Sequence, residues 1–417
     1  MNRWLRLGAA VVAMIMIANL QYSWTLFVKP IIAATGWKLS EVQWGFTFFI
    51  AVETWGMPLS GWVIDRIGPR FFMTFGGLLC GAGWACLGRV RTLPQLYSVY
   101  ALAGLGAALV YCGSVSVALK WFPDKRGLAS GIIVGAFGAG AALFIPEIAY
   151  IIRVRNYSTA FLYTGIVQGL AIVCAAQFLE NPGPEFFVPL KISNKQIIRR
   201  QTEQFNSLEM LRTPQFYVLY AMMLMMGIGG LMVTAQVAPV AGSLKIGAAM
   251  LTLALTLNPL ANGVGRVFWG WVSDHVGREW TMIVAFAIQS VSLLSVLTLG
   301  RVSQVWFVVC LSLVFFSWGE IYALFPPAAA DFFGAKNSSS NYSFLYSSKG
   351  VASIVGGGLA ALLFEKTGTW NTAFYGSAVL ALGASLLGFV LRAMPLPSKK
   401  VSEAAEMAMK PSLRAED

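Results

Sequence analysis

Charge is what this chain has least of. Of its 417 residues only 12% are Asp, Glu, Lys or Arg, about half of the roughly 25% found in soluble globular domains. Histidine is nearly absent: His275 is the single copy, and it sits in a charged loop. The five cysteines, Cys80, Cys86, Cys112, Cys174 and Cys310, all lie inside apolar runs and form no Cys-x-x-Cys pair. That excludes a zinc knuckle or a dithiol redox motif and leaves the thiols as small helix-packing residues. No His/Cys/Asp cluster, nucleophile motif or phosphate-binding loop stands anywhere, so an enzyme is not expected, nor any metal or cofactor. The stretch Lys399 to Asp417 is too short for a signalling domain, which argues against a sensor. The 57% hydrophobic content excludes disorder, collagen-like structure and a disulfide-stapled secreted scaffold.

What is present is a repeated apolar run of about 20 residues, the length that crosses a bilayer as a helix. Twelve such spans are expected, at 7–28, 43–64, 71–88, 95–119, 128–152, 159–179, 215–240, 247–272, 280–300, 303–326, 339–364 and 371–391. The first is longer than a signal-peptide core and lacks a small-residue cleavage site, so it reads as a retained span. The longest polar stretch, 180–214, carries Lys191, Lys195, Arg199, Arg200 and Arg212. The chain is therefore read as an N-terminal six-helix bundle (1–180), a central loop (181–214), a C-terminal six-helix bundle (215–392) and a tail (393–417). With both termini and the central loop on one side, that side holds 19 Lys and Arg against nine in the opposite loops. The excess of positive charge predicts that these segments are cytoplasmic. The net charge of +12 reflects this sidedness, and no nucleic-acid partner is expected.

The two halves repeat a motif. Gly61-Trp62-Val63-Ile64-Asp65-Arg66-Ile67-Gly68-Pro69-Arg70 follows the second span, and Gly270-Trp271-Val272-Ser273-Asp274-His275-Val276-Gly277-Arg278 follows the eighth. An Asp at a helix end followed by Gly and Arg can pin neighbouring helices through charge and capping contacts that break and re-form. Asp65, Arg66, Arg70, Asp274 and Arg278 are thus candidate gate residues, the alternative being a polar turn with topogenic charge. With the six-plus-six layout, these loops resemble the major facilitator superfamily over essentially the whole chain. The resemblance implies an all-α membrane protein of twelve transmembrane helices in two pseudo-symmetric six-helix bundles, opening alternately around a midplane cavity.

Five ionisable residues lie within spans: Glu53, Glu147, Arg266, Glu320 and Lys349. Such residues are costly in hydrocarbon and usually mark a pathway. Arg266 precedes Asp274 by eight residues, about 12 Å of helix, and half the hydrocarbon core is about 15 Å. It is therefore near the midplane, as is Lys349 in the middle of its span. Two cations facing one cavity repel unless anions lie between them. A small dicarboxylate would neutralise both, and the guanidinium fork suits bidentate carboxylate binding. The alternative is that each cation pairs with an internal glutamate as structural glue. Glu53 and Glu320 are candidates for proton carriage or fixed countercharge. Glu147, near the loop of Arg153 and Arg155, reads as a snorkelling or structural residue.

Polar and aromatic groups surround these charges: Gln21, Tyr22 and Trp24 on span one, Tyr111 on span four, Phe137 on span five, Trp318 and Tyr322 on span ten, and Tyr346 on span eleven. Trp318 and Tyr322, four apart, share a helix face, as do Asn262 and Arg266. Any one of these could be ordinary core packing. Together they suit a small flat anion held away from water.

A narrower resemblance rests on Asn19-Leu20-Gln21-Tyr22-Ser23-Trp24-Thr25-Leu26, Trp121-Phe122-Pro123-Asp124-Lys125-Arg126-Gly127 and Met210-Leu211-Arg212-Thr213-Pro214-Gln215-Phe216. It continues in Asn262-Gly263 with Arg266, Phe268-Trp269-Gly270, Tyr322-Ala323-Leu324-Phe325-Pro326 and Lys349 with Ala352-Ser353-Ile354. These segments resemble the oxalate/formate antiporter family. The resemblance implies that Arg266 and Lys349 bind oxalate in a cage that includes Gln21, Tyr22, Tyr111, Trp318 and Tyr322. Phe137 stands where the family's oxalate transporter has Tyr, Tyr346 where it has Trp, and Glu53 and Glu320 where it has uncharged residues.

The expected function is alternating-access transport of small carboxylates in the bacterial inner membrane by a monomer, oxalate entering against formate. The alternative in the same fold is proton-coupled symport of a monocarboxylate such as lactate, pyruvate or formate, drawing on Glu53 and Glu320. Drug efflux is disfavoured, because two midplane cations suit anions.

Overall fold

The computed structural model describes residues 3–57, 60, 63–64, 67–122, 126–182, 201–334 and 337–399. The candidate gate residues Asp65 and Arg66, and the side chain of Asp274, lie outside the described set. Within it the regular structure is helical, as a bilayer demands of backbone amides that have no water to bind. In the first half the helices are α1 (Arg3–Tyr22), α2 (Trp24–Thr35), α3 (Leu39–Trp55), α4 (Pro69–Cys86), α5 (Leu93–Trp121), α6 (Arg126–Gly140), α7 (Ile145–Val154) and α8 (Tyr157–Ala176). A short α9 (Ser207–Met210) precedes α10 (Pro214–Ser243), α11 (Ala248–Val276), α12 (Arg278–Val302), α13 (Gln304–Trp318), α14 (Glu320–Phe333), α15 (Ser338–Tyr346), α16 (Ser348–Ile354), α17 (Ala360–Thr367) and α18 (Asn371–Ala393). A π-helical turn, Val355–Leu359, joins α16 to α17.

Ten of the described helical stretches are long and apolar enough to span a membrane. The expected spans 43–64 and 247–272 are not among them, for different reasons. In the former the continuous described helix, α3, has 17 residues. The latter, α11, has 29 residues but dilutes its apolar content with buried Asn258, Asn262 and Arg266. The first span also runs further than 7–28: α1 and α2 carry the chain from Arg3 to Thr35 as one broken rod. Hydropathy falls at Lys29 and Pro30, but both stay helical, because ending a helix inside the apolar layer would strand its carbonyls.

Each half packs on itself first. In the N-terminal half α4 lies along α5 and α8, and α3 along α5; in the C-terminal half α12 lies along α13 and α18. The halves meet where α3 runs beside α16, the π turn and α17, where α6 crosses α11, and where α2 touches α10. Glycine makes two of these contacts close. A Cβ on Gly138 would stand 3.0 Å from the Gly263 Cα, and one on Gly350 would stand 2.5 Å from the Thr54 Oγ1. Small residues at such crossings let dispersion do in lipid what the hydrophobic effect does in water.

Both ends of the described chain share one face with residues 201–215. Arg6, fully buried, pairs with Glu180 and donates to the Phe178 carbonyl at 3.2 Å. Lys399 pairs with Glu209 at 3.0 Å, and the Gln215 amide donates to the Pro395 carbonyl at 2.9 Å. On this face Arg278 reaches Asp331 at 3.3 Å and also donates to the Ser273 hydroxyl, tying α12 to the ends of α11 and α14. Arg70 lies only 3.9 Å from Glu180, with both side chains about half exposed (47% and 50%), a solvent-screened contact.

Candidate functional site

Four breaks in the helices fall beside residues of the expected cage. Ser23 separates α1 from α2 next to Tyr22, and Gly319 separates α13 from α14 next to Trp318. Ser347 separates α15 from α16 next to Tyr346. After Phe137, α6 ends at Gly140 and a 3-10 turn, Ala141–Leu143, leads into α7. Interrupted helices at mid-depth are how this kind of architecture presents backbone and side-chain polar groups to a central site.

Both cations are buried there, Arg266 at 3% and Lys349 at 1% exposure, but their surroundings differ. Lys349 spends all three donors of its ammonium within the protein. Nζ lies 2.8 Å from Glu53 Oε2, 3.0 Å from Gln21 Oε1 and 3.2 Å from the Tyr346 hydroxyl. Arg266 has no carboxylate within ion-pair distance among the described residues. Its Nη1 donates to the Val134 carbonyl at 2.6 Å and its Nη2 to the Tyr22 hydroxyl at 3.4 Å, while Nε makes no hydrogen bond. The guanidinium lies 4.5 Å from the centre of the Tyr322 ring and 5.7 Å from that of Phe137. Lys349 Nζ lies 5.8 Å and 5.9 Å from the same two rings. The two cations thus share two aromatic walls, which offer the face of a ring quadrupole to each charge.

The expected residues separate into those that gather here and those that do not. Tyr22 donates to Asn262 Oδ1 at 3.2 Å, joining the halves, and Asn262 donates to the Phe315 carbonyl at 3.0 Å. Tyr111 meets Phe137 edge-on, with ring centres 5.5 Å apart, and approaches Tyr346 at 6.0 Å. Tyr346 in turn neighbours Tyr322, which packs edge-on against Trp318. Trp24 belongs elsewhere: its ring stacks on Tyr100 and its Nε1 donates to Gln43 at 3.1 Å. Glu53 is in direct contact with Lys349. Glu320 is fully buried, and neither of its oxygens is hydrogen-bonded among the described residues. It is two residues from Tyr322, about 200° around the helix, so it points away from the cations. Glu147 is exposed in the first turn of α7.

Above the cations, on the side away from the termini, the halves are stitched together. The Gln43 amide donates to the Ala235 carbonyl and to Gln236, at 2.8 Å and 3.0 Å, and Gln236 donates to the Gly357 carbonyl. Thr47 donates to the Ser353 carbonyl at 2.9 Å, and Ser40 bonds both oxygens of Glu365. Gln43 and Gln236 are polar residues in apolar spans, so a signal for this seal existed. The Val134 carbonyl that holds Arg266 had none, since any residue type supplies one. Tyr342, whose ring centre is 5.6 Å from that of Tyr346, could have been found from its four-residue spacing.

An all-helical membrane protein whose halves meet around a sealed, cationic, aromatic-walled site has the organisation of a secondary transporter. Consistent with that class, the Major Facilitator Superfamily profile matches residues 9–237 and 217–415. The chain is 41% identical over 401 residues to the oxalate:formate antiporter of Oxalobacter formigenes, covering 96% of this chain and 94% of that one. It is 26% identical to the MFS-type transporter YhjX of Escherichia coli (strain K12), over 85% of this chain and 86% of that one. It is 23% identical to apicoplast pyruvate carrier 1 of Toxoplasma gondii, over 88% of this chain and 77% of that one. The chain belongs to the major facilitator superfamily and, within it, to the oxalate/formate antiporter family.

Proposed function

We propose that this protein exchanges small carboxylates, oxalate entering against formate leaving. The observation that carries the reading is the pair of buried cations, Arg266 and Lys349, sharing the rings of Phe137 and Tyr322. It is joined to the 41% identity with an oxalate:formate antiporter. Arg266 receives one carboxylate through its fork, Lys349 receives the other, and the rings exclude water around a flat anion. Gln21 Nε2, Tyr322 Oη, Trp318 Nε1 and Arg266 Nε are buried with no hydrogen-bond partner among the described residues, capacity that a polar substrate can use. Residues 1–180 and 215–392 act as the two rocking halves, with 181–214 connecting them and 393–417 as a tail. The protein works as a monomer in the bacterial inner membrane with both termini cytoplasmic, and it needs no cofactor.

The test is labelled oxalate uptake into proteoliposomes preloaded with oxalate, with formate or with buffer. Uptake that requires internal oxalate or formate is expected. Equal uptake into buffer-loaded vesicles would overturn exchange. A second reading, proton-coupled monocarboxylate symport, is favoured by the Glu53–Lys349 pair, since a carboxylate on a substrate-binding cation can take up a proton. It predicts gradient-driven formate or lactate uptake into vesicles that contain buffer alone.

A further inference from the structure

The exchange reading treats Lys349 as free to take a carboxylate, but it already holds one. Glu53 Oε2 is 2.8 Å from Nζ, with the two side chains 2% and 1% exposed. Arg266, Lys349 and Glu53 together leave the site a single net positive charge. A monocarboxylate on Arg266 balances that charge with the Glu53–Lys349 pair intact. A dicarboxylate does not: its second carboxylate must reach Lys349, and it then meets ionised Glu53 at the same ammonium. Two anions sharing one cation in a low-dielectric site repel strongly. Of the three acceptors on Lys349, Gln21 and Tyr346 are neutral. Glu53 is the one that a proton can release.

Resting on the exchange reading, we propose that Glu53 is a built-in counter-anion to Lys349, so that a dicarboxylate binds with one proton on Glu53 and a monocarboxylate binds without one. The occupied site is neutral in both cases. The step balances: solvent delivers one proton to Glu53 as the dianion enters, and both leave together on the other side. Exchange of a dicarboxylate plus proton for a monocarboxylate moves no net charge. Two loaded states of equal charge also face the same cost of crossing the hydrocarbon core, which is the condition for either to close the cavity.

The other groups around Glu53 do not compete for that proton. Lys349 is its contact, and Arg266 acts on Lys349 from across the site. The phenols of Tyr22, Tyr100, Tyr111, Tyr322 and Tyr346 and the thiol of Cys80 also feel its charge. Phenols and thiols ordinarily titrate well above neutral pH. Glu320 lies on the far face of α14 and makes no contact with the pair.

The experiment uses the full chain in formate-loaded proteoliposomes with labelled oxalate outside, an internal pH dye, and voltage clamped by potassium and valinomycin. Between about pH 6 and 8, subsaturating uptake should rise by up to about tenfold per unit of external acidification, as for one linked proton. One proton should enter per oxalate, and voltage should have no effect. Glu53→Gln should lose the pH dependence and become voltage-sensitive, slowed by a negative interior. Wild-type exchange that is electrogenic and indifferent to pH would overturn the role of Glu53 while leaving exchange standing. So would an active Glu53→Gln variant that still carries a proton. If the wild type shows no oxalate–formate exchange, the exchange reading fails and this inference falls with it. The wild-type proton count needs no variant to fold.

Discussion

Arg266 and Lys349 are both buried cations of the C-terminal half, yet the protein treats them oppositely. The guanidinium is held by a carbonyl, a phenol and a ring face, all neutral, and its charge stays unbalanced. The ammonium is balanced by Glu53 and saturated with acceptors. The difference teaches that a buried charge left incomplete keeps the capacity to take a ligand, whereas one with a full set of partners is structural until something displaces a partner. Arginine suits the first role because its weakly hydrated, delocalised charge tolerates neutral neighbours. Lysine suits the second because its point charge follows whichever anion is nearest.

The sharpest break of this comparison is Lys349→Gln, which strands Glu53 as an uncompensated buried carboxylate. A loss of roughly 3–5 kcal/mol of stability is expected, read as a lower melting temperature in detergent, with Glu53→Gln in the same chain restoring most of it. Arg266→Gln strands no partner charge. Its stability should change by no more than about 1 kcal/mol, while oxalate exchange falls by about 100-fold, within the range for losing a buried charge pair with the ligand. Similar losses of stability in the two single variants would erase the distinction.

Smaller effects refine it. Tyr22→Phe removes the hydroxyl that accepts from Arg266 and donates to Asn262. About 1 kcal/mol, or a roughly fivefold higher KM for oxalate, is expected, measured in the same uptake assay. Glu320→Gln tests whether position or mere burial makes a glutamate matter. Exchange and proton count should match the wild type, and a changed proton count would place Glu320 in the coupling path.

The partly exposed pair Lys399–Glu209 sets the scale for the buried one: Lys399→Ala should cost under about 1 kcal/mol. The Glu209 carboxyl is held below its usual range, first by the Asn206 backbone amide and then by Lys399, against partial desolvation. A lowered folded-state value means that this stabilisation is complete above the unfolded value and is lost as pH falls through the folded one. Hydrogen exchange around residues 206–210 should therefore quicken as pH drops below about 4, and Glu209→Gln should remove that change after correction for intrinsic rates.

Much of this was readable in the chain. Apolar runs marked the positions of the helices, and Arg266 and Lys349 stood out because charge in such runs is rare. Four-residue spacing put Trp318 beside Tyr322. Trp24 fails the same spacing rule: it stands two residues from Tyr22, about 200° around a helix, and it stacks on Tyr100 and donates to Gln43 instead. The broken first span ran to Thr35 because hydropathy measures side chains, while helix length in lipid is set by backbone satisfaction.

By itself the sequence determined the membrane class, the superfamily and the two cations, because hydrophobicity, repeated motifs and rare charges are properties of residue types at positions. Tertiary structure alone decided which cation is balanced. Glu53 and Lys349 are separated by 296 positions, and no local pattern says that α3 lies against α16 with those two side chains facing. The same packing set Glu320, an equally buried carboxylic acid, on the other side of its helix. Charge is written in the chain, but its partner is chosen by the contact between helices.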